Sequence, residues 1–365
     1  MFALAILLPT VCLAAGYTIT DLGAGSVGNG INSSGQVTGQ NAASHAFLYN
    51  GTMHDLGTLG GPTSIGYGIN DSGQVAGTAD LPLNNAGHNS GAAFLYAGTM
   101  QQIGQGGTDT DQGASQGLGI NNSGQIVVTA FPGTAAAVFT GVYDSANPAA
   151  SGSILLPANG VGSGINNGGQ VTGYTLNPNT SSGIGHAFLF SPTGGINNQG
   201  VLNGTVTDLG TLGGTISIGN AINGSGIVTG EASTINDAAG HAFLYDGTMH
   251  DLGTLGGTNS DGTGINGSGQ IVGYSDTTGD AAHHAFLYDA VHGMVDLNTL
   301  INPTSGWVLN QANAINASGQ ITGVGTLNGV SEGFLISPIS NVPEPSTWAL
   351  MAAGAAALLV FRRRR

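Results

Sequence analysis

The chain has 365 residues, nineteen of them acidic and only four basic, for a formal net charge of -15. The basic residues are Arg362, Arg363, Arg364 and Arg365, so everything before them lacks lysine and arginine. That excludes nucleic acid as a partner, because its affinity rests on Lys and Arg neutralising phosphate, and it removes arginine clamps and lysine nucleophiles from the folded part.

Phe2 to Leu13 is an apolar run of signal-peptide length, followed by Ala14, Ala15 and Gly16. Residues 1–15 are therefore expected to be a removable signal peptide, cut after Cys12-Leu13-Ala14 or Leu13-Ala14-Ala15. No basic residue precedes the run, which points to a start codon further upstream. Cys12 is the single cysteine. A mature chain without it has no disulfide and no thiol chemistry, so its stability must come from packing. The 66 glycines approach a low-complexity level, but 40% of residues are hydrophobic, enough to bury a core.

From residue 16 to 340 the chain repeats itself. The phrase Ile-Asn-x-Ser/Gly-Gly-x-Val/Ile recurs with its isoleucine at 31, 69, 120, 165, 222, 265 and 315, a mean spacing of about 47 residues. Asn-x-Ser-Gly is a turn, with asparagine capping it and glycine taking the positive φ. A second phrase, His-Ala-Phe-Leu-Tyr/Phe, follows at His45, His186, His241 and His284, with weaker versions at Ala92–Tyr96, Ala136–Thr140 and Glu332–Ile336. It predicts a strand buried on both faces. Asn50-Gly51 or Asp246-Gly247 then predicts a two-residue hairpin into a fourth strand ending in Asp-Leu-Gly, as at Asp55, Asp208 and Asp251. Relatives of that phrase begin at Asp21 and Asp296.

Four short antiparallel strands per repeat, seven times over, predict an all-β fold, a seven-bladed β-propeller. The last unit stops without an Asp-Leu-Gly strand, while a spare one, Tyr17 to Gly23, precedes the first unit. The N-terminal strand is therefore expected to complete the seventh blade. An open solenoid would gain nothing from that permutation and would want polar caps. Gly195 to Gly204 is read as an extended hairpin within the fourth unit. These units resemble the HAF family of extracellular repeats, on the His-Ala-Phe at His45, His186, His241 and His284. The resemblance implies an extracellular setting and a repeat architecture, and no assigned activity.

The recurring histidines, with His54 and His250 in the fourth strand, and the recurring aspartates read as structural fixtures, because positions repeated in stacked units usually serve the stack. A metal-binding imidazole ring would need ligands converging at bonding distance, so no metal site and no cofactor are expected. Calcium is the one ion whose chemistry the loop acids suit, with candidates at Asp109/Asp111 and Asp276/Asp280. No catalytic residue is assigned. No serine sits in a nucleophile elbow, and the only glutamates are Glu231, Glu332 and Glu344. The connections between second and third strands vary from 5 residues (Gln40 to Ser44) to 14 (Thr78 to Gly91). Variable loops on a fixed scaffold are where recognition resides. Asp80, Asn84, Asn85, His88, Asn179, Asp237, Asp276 and Asp280 are the candidate ligand-binding residues of that loop face.

The chain ends in Pro343-Glu344-Pro345, an uncharged apolar stretch from Trp348 to Phe361, and the four arginines. Fourteen apolar residues fall short of the ~20 that span a bilayer comfortably, and the arginines belong on the cytoplasmic side. Residues 341–365 resemble the PEP-CTERM sorting signal of Gram-negative bacteria, in motif, short transmembrane helix and basic tail. The resemblance implies delivery by the Sec translocon, a transient inner-membrane anchor, processing by an exosortase, and export to the cell surface or exopolysaccharide matrix. The expected function is a non-catalytic binding or structural module there. The alternatives are a polysaccharide-active enzyme using loop carboxylates and a calcium-dependent adhesive element.

Overall fold

Each repeat folds into one four-stranded antiparallel sheet, and seven such sheets stand around a common axis. The structure, a computed structural model, describes residues 16–83, 90–104, 114–131, 139–147, 151–153, 160–180, 182–197 and 200–339. The expected signal peptide, the sorting motif, the apolar stretch and the arginine tail lie outside the described residues. Among the described residues no helix is long and apolar enough to cross a membrane.

Blade 1 comprises Val27–Ile31, Val37–Gln40, Ala46–Tyr49 and Met53–Asp55, from the axis outward. Blades 2, 3 and 4 start at the axis with Ser64–Ile69, Ala114–Ile120 and Gly160–Ile165. Blade 5 comprises Gly213–Ile222, Val228–Thr234, Gly240–Tyr245 and Met249–Asp251; blade 6 comprises Gly256–Ile265, Ile271–Thr277, His283–Asp289 and Gly293–Asp296. Blade 7 has Trp307–Ile315, Ile321–Leu327 and Val330–Pro338, and its outermost strand is the N-terminal Tyr17–Ala24. Tyr17 pairs with Pro338 and Thr20 with Leu335, so the spare strand closes the ring as its sequence predicts. Closure matters because each sheet would otherwise offer an unpaired edge to other chains.

The third strand of each blade carries the core. Phe47, Phe94, Phe188, Phe243, Phe286 and Phe334 are each at most 1% exposed. Smaller side chains from the next blade pack against them, so the core is a ring of inter-blade layers. In blade 3 the expected phrase Ala136–Thr140 is displaced. Ile126 pairs with Tyr143 there as Val75 pairs with Tyr96 in blade 2, so Thr140-Gly141-Val142-Tyr143 is the equivalent run. Gly141 and Val142 stand where other blades place aromatic and leucine side chains, which hid the match. Blade 4 does carry the extended hairpin: its third and fourth strands, Ile184–Ile196 and Leu202–Asp208, pair as far as Ile196 with Leu202.

Each asparagine turn ties its own blade and the next. Asn32 Oδ1 accepts the N–H groups of Ser34 (3.1 Å) and Gln36 (2.9 Å). Its Nδ2 donates to Gln36 Oε1 (2.7 Å) and to the Asn70 carbonyl of blade 2 (3.0 Å). The same inter-blade bond runs from Asn70 to Asn121, Asn166, Asn223, Asn266 and Asn316, and from Asn316 back to Asn32, at 2.9–3.2 Å. Seven asparagines, each at most 5% exposed, thus form a closed hydrogen-bonded ring.

All seven innermost strands also share one irregularity. The pairing skips a residue between Gly28 and Gly30, Gly66 and Gly68, Gly117 and Gly119, and at the equivalent place in blades 4 to 7. A β-bulge re-aims the side chain it carries. The small residues flanking it have a steric reason: a Cβ on Gly30 would lie 2.9 Å from the Tyr67 carbonyl of the next blade.

Candidate functional site

The bulges and the turn phrases divide the axial channel. Ile31, Ile69, Ile120, Ile165, Ile222, Ile265 and Ile315 border two vestibules, one of about 200 Å³ and one of about 240 Å³. These isoleucines form an apolar collar between them. The larger vestibule lies on the side of the asparagine turns. The smaller opens on the face bearing the variable loops and is lined by the bulged residues.

At those positions the scaffold is constant and the side chain is not. Blades 1 to 4 present Asn29, Tyr67, Leu118 and Ser163; blades 5 to 7 present Asn220, Thr263 and Asn313. Asn29 donates to the Gly66 carbonyl at 3.0 Å, and Asn313 to that of Gly28 at 2.9 Å. Asn220 does something different. Its Nδ2 reaches the Asp261 carboxylate at 2.7 Å as well as the Gly262 carbonyl at 3.2 Å.

That contact opens a polar seam between blades 5 and 6. Asp261 pairs across the sheet with Tyr274. Burial first, then the charge of Glu231, pushes the Asp261 carboxyl up to about 7, against the pull of the Asn220 amide. Burial also raises Glu231. The Tyr274 hydroxyl is pushed up to about 12 by burial and by Asp261, Glu231 and Asp276. The Tyr274 ring meets the His283 imidazole edge-on, centroids 5.9 Å apart. Further out, Asp276 accepts from His283 Nδ1 (2.7 Å) and from the Asn259 backbone and side chain (both 3.0 Å). A carboxyl titrating near neutrality beside a second carboxyl offers donor and acceptor together, which suits the hydroxyls of a sugar and also general acid–base chemistry.

The candidate loop residues divide. Asp237 and Asp280 occupy equivalent turns with φ of 54° and fasten the incoming inter-blade link. Asp237 accepts from Thr215 N–H and Oγ1 at 2.7 and 2.9 Å; Asp280 accepts from Thr258 N–H and Oγ1 at 2.6 and 2.7 Å. These threonine bonds hold both carboxyls below their ordinary range. Asp80 accepts from Thr63 Oγ1 at 2.7 Å. Asn179 is exposed in a turn of blade 4. Asp276 is not presented on the face as expected: its side chain is only 7% exposed, because Asn259 and His283 close over it. Asn84, Asn85 and His88 lie outside the described residues, as do Asp109 and Asp111.

The two repeated fixtures are one pair. His45 Nδ1 binds Asp55 at 2.9 Å, His186 binds Asp208 at 2.9 Å, His241 binds Asp251 at 3.0 Å, and His284 binds Asp296 at 2.7 Å, each within its own blade. Among the described residues no three His, Cys, Asp or Glu side chains group closely enough to hold a metal ion. Sequence reasoning missed Asp261, Tyr274, Asn220, Asn259 and His283. The signal was there at one register position: Val27, Ile65, Gln116, Val161, Ile218 and Gln311 are its uncharged counterparts to Asp261.

The family model described as "Protein of unknown function (DUF3466)" matches residues 144–337, just over half of the chain. The model described as "PEP-CTERM protein-sorting motif" matches residues 341–365. No curated protein matches the chain in sequence. Among solved structures, the crystal structure of Porphyromonas gingivalis dipeptidyl peptidase 4 is similar at 11% identity and a TM-score of 0.44, with 85% of this chain covered. The chain spans 59% of that protein's length.

Proposed function

We propose that this chain, which belongs to the DUF3466 family, is a non-catalytic binding module of the extracellular polysaccharide layer. Its sorting motif implies an exported protein processed by an exosortase; the matrix destination, the kinship of its blades with HAF repeats and the saccharide ligand are our reading. One observation carries it. The bulged residues around the loop-face vestibule occupy identical backbone positions yet span five residue types, Asn, Tyr, Leu, Ser and Thr. A scaffold that repeats everything except what faces one mouth supports recognition at that mouth. Tyr67 supplies an aromatic surface, and Asn220 with Asp261 supplies hydrogen bonds beside it.

Binding of the full-length chain to polysaccharides, followed by calorimetry, tests this reading. Retention without product release, weakened at least tenfold by Tyr67→Ala or Asn220→Ala, is the expected result. The raised carboxyls of Glu231 and Asp261 favour a second reading, glycoside hydrolysis by that pair. Saccharide release that Glu231→Gln or Asp261→Asn abolishes would replace the first reading with the second. Calcium-dependent adhesion is the third; a melting temperature unchanged by EDTA rejects it.

A further inference from the structure

The turn-face vestibule has a broken symmetry of its own. The residue after each ring asparagine is Ser33, Asp71, Asn122 and Asn167 in blades 1 to 4, then Gly224, Gly267 and Ala317 in blades 5 to 7, all exposed around the mouth. In the first half each backbone N–H finds the side chain of the next blade. Ser33 N–H donates to Asp71 Oδ1, Asp71 N–H to Asn122 Oδ1, and Asn122 N–H to Asn167 Oδ1, all at 2.9 Å. From Asn167 onward the next blade offers glycine, glycine and alanine. The N–H groups of Asn167, Gly224 and Gly267 therefore have no side-chain acceptor among the described residues. A Cβ added at Gly224 or Gly267 would meet nothing within 4 Å, so there is open space beside these donors.

We propose that this arc of three backbone N–H groups binds the acetamido group of an N-acetylated sugar. The molecule itself shows what such an N–H takes: two of its three internal acceptors, on Asn122 and Asn167, are carboxamide oxygens. An amide oxygen is neutral, which suits a chain whose folded part carries acids and no lysine or arginine, with the Asp71 carboxylate at the same mouth. The acetyl methyl has an apolar partner in the collar isoleucines Ile222 and Ile265, which line this vestibule. A cavity of about 240 Å³ accommodates one hexosamine ring. The proposal rests on the matrix-module reading only for the ligand being a saccharide, and it concerns the opposite mouth.

The test is calorimetry of the full-length chain with N-acetylglucosamine oligosaccharides, glucose oligosaccharides of the same linkage and length, and glucuronate-containing ones. Only the acetylated series is expected to bind. Gly267→Asn with Ala317→Asn supplies the missing acceptors and should raise the Kd at least tenfold with the melting temperature kept or raised. If that double variant does not fold, Gly224→Asn, which caps Asn167 N–H, serves instead. Absence of binding by the acetylated series overturns the proposal, as does equal binding of glucose oligomers, preference for glucuronate, or undiminished binding by a folded capped variant. Tyr67→Ala and Asn220→Ala on the other face should leave this binding intact. If they abolish it, the loop-face vestibule accounts for the binding and the turn-face proposal fails.

Discussion

A carboxyl group that titrates near pH 7 instead of near 4 costs the folded state stability whenever it ionises. For Asp261 the folded pKa of about 7 lies above the ordinary carboxylate value. Between the two the folded chain holds more protons than the unfolded one, so stability falls as pH rises through that window. Asp261→Asn keeps an oxygen for Asn220 and removes the charge. Its melting temperature should exceed the parent's by about 2–5 °C at pH 8 and match it at pH 4. Asp71 has the opposite sign. The Ser33 hydroxyl and N–H hold its carboxyl low, so its contribution is present above the ordinary carboxylate range and lost as pH falls below it. Melting curves of Asp71→Asn should therefore show a shallower acid limb. The ring asparagines carry more than either. Asn266 makes four hydrogen bonds, donating to Gln270 and Asn316 and accepting from Ser268 and Gln270. At about 1 kcal/mol each, Asn266→Ala should lower unfolding free energy by roughly 3–4 kcal/mol in urea titrations.

At the level of strands and turns, what the sequence reveals depends on how local the chemistry is. Asn-x-Ser-Gly is legible because one asparagine closes its own turn, and the third strand is legible because its phenylalanine is buried on both sides. Phe286→Ala should accordingly cost about 3–5 kcal/mol, read as a shifted denaturation midpoint with unchanged slope. The fourth strand of each blade is legible too, but not its purpose. His45 and Asp55 stand in separate phrases, and only the hairpin brings them to 2.9 Å. The bulge was hidden for a different reason. Small residues on either side of Asn29 or Asn220 signal crowding at the axis, yet nothing in the string says that the residue between them is skipped by its neighbour strand. The seam of Glu231 and Asp261 spans two blades, so it appears only when repeats are aligned by sheet register. Loop length, by contrast, misled: the acids of the short 3-10 turns fasten the scaffold instead of facing outward.

For the molecule as a whole, the decisive contact is between its first strand and its last. Thr18 Oγ1 reaches the Ser337 carbonyl across 319 residues of sequence. Removing Tyr17–Ala24 should leave six intact blades and a seventh with three strands. The expected outcome is a lower melting temperature, a broader transition and concentration-dependent association through the bared edge, measured by light scattering. The same closure sets an order of events for an exported chain. A polypeptide delivered N-terminus first can build blades 1 to 6 as they emerge, but Tyr17–Ala24 must wait unpaired until Val330–Pro338 arrives. The last paired residue, Pro338, lies three positions before the sorting motif begins at residue 341. The ring therefore completes at almost the same moment that the processing signal reaches the membrane. Assembly of the seventh blade becomes a clock for release: a chain stalled short of its sorting motif is also a chain whose ring is still open.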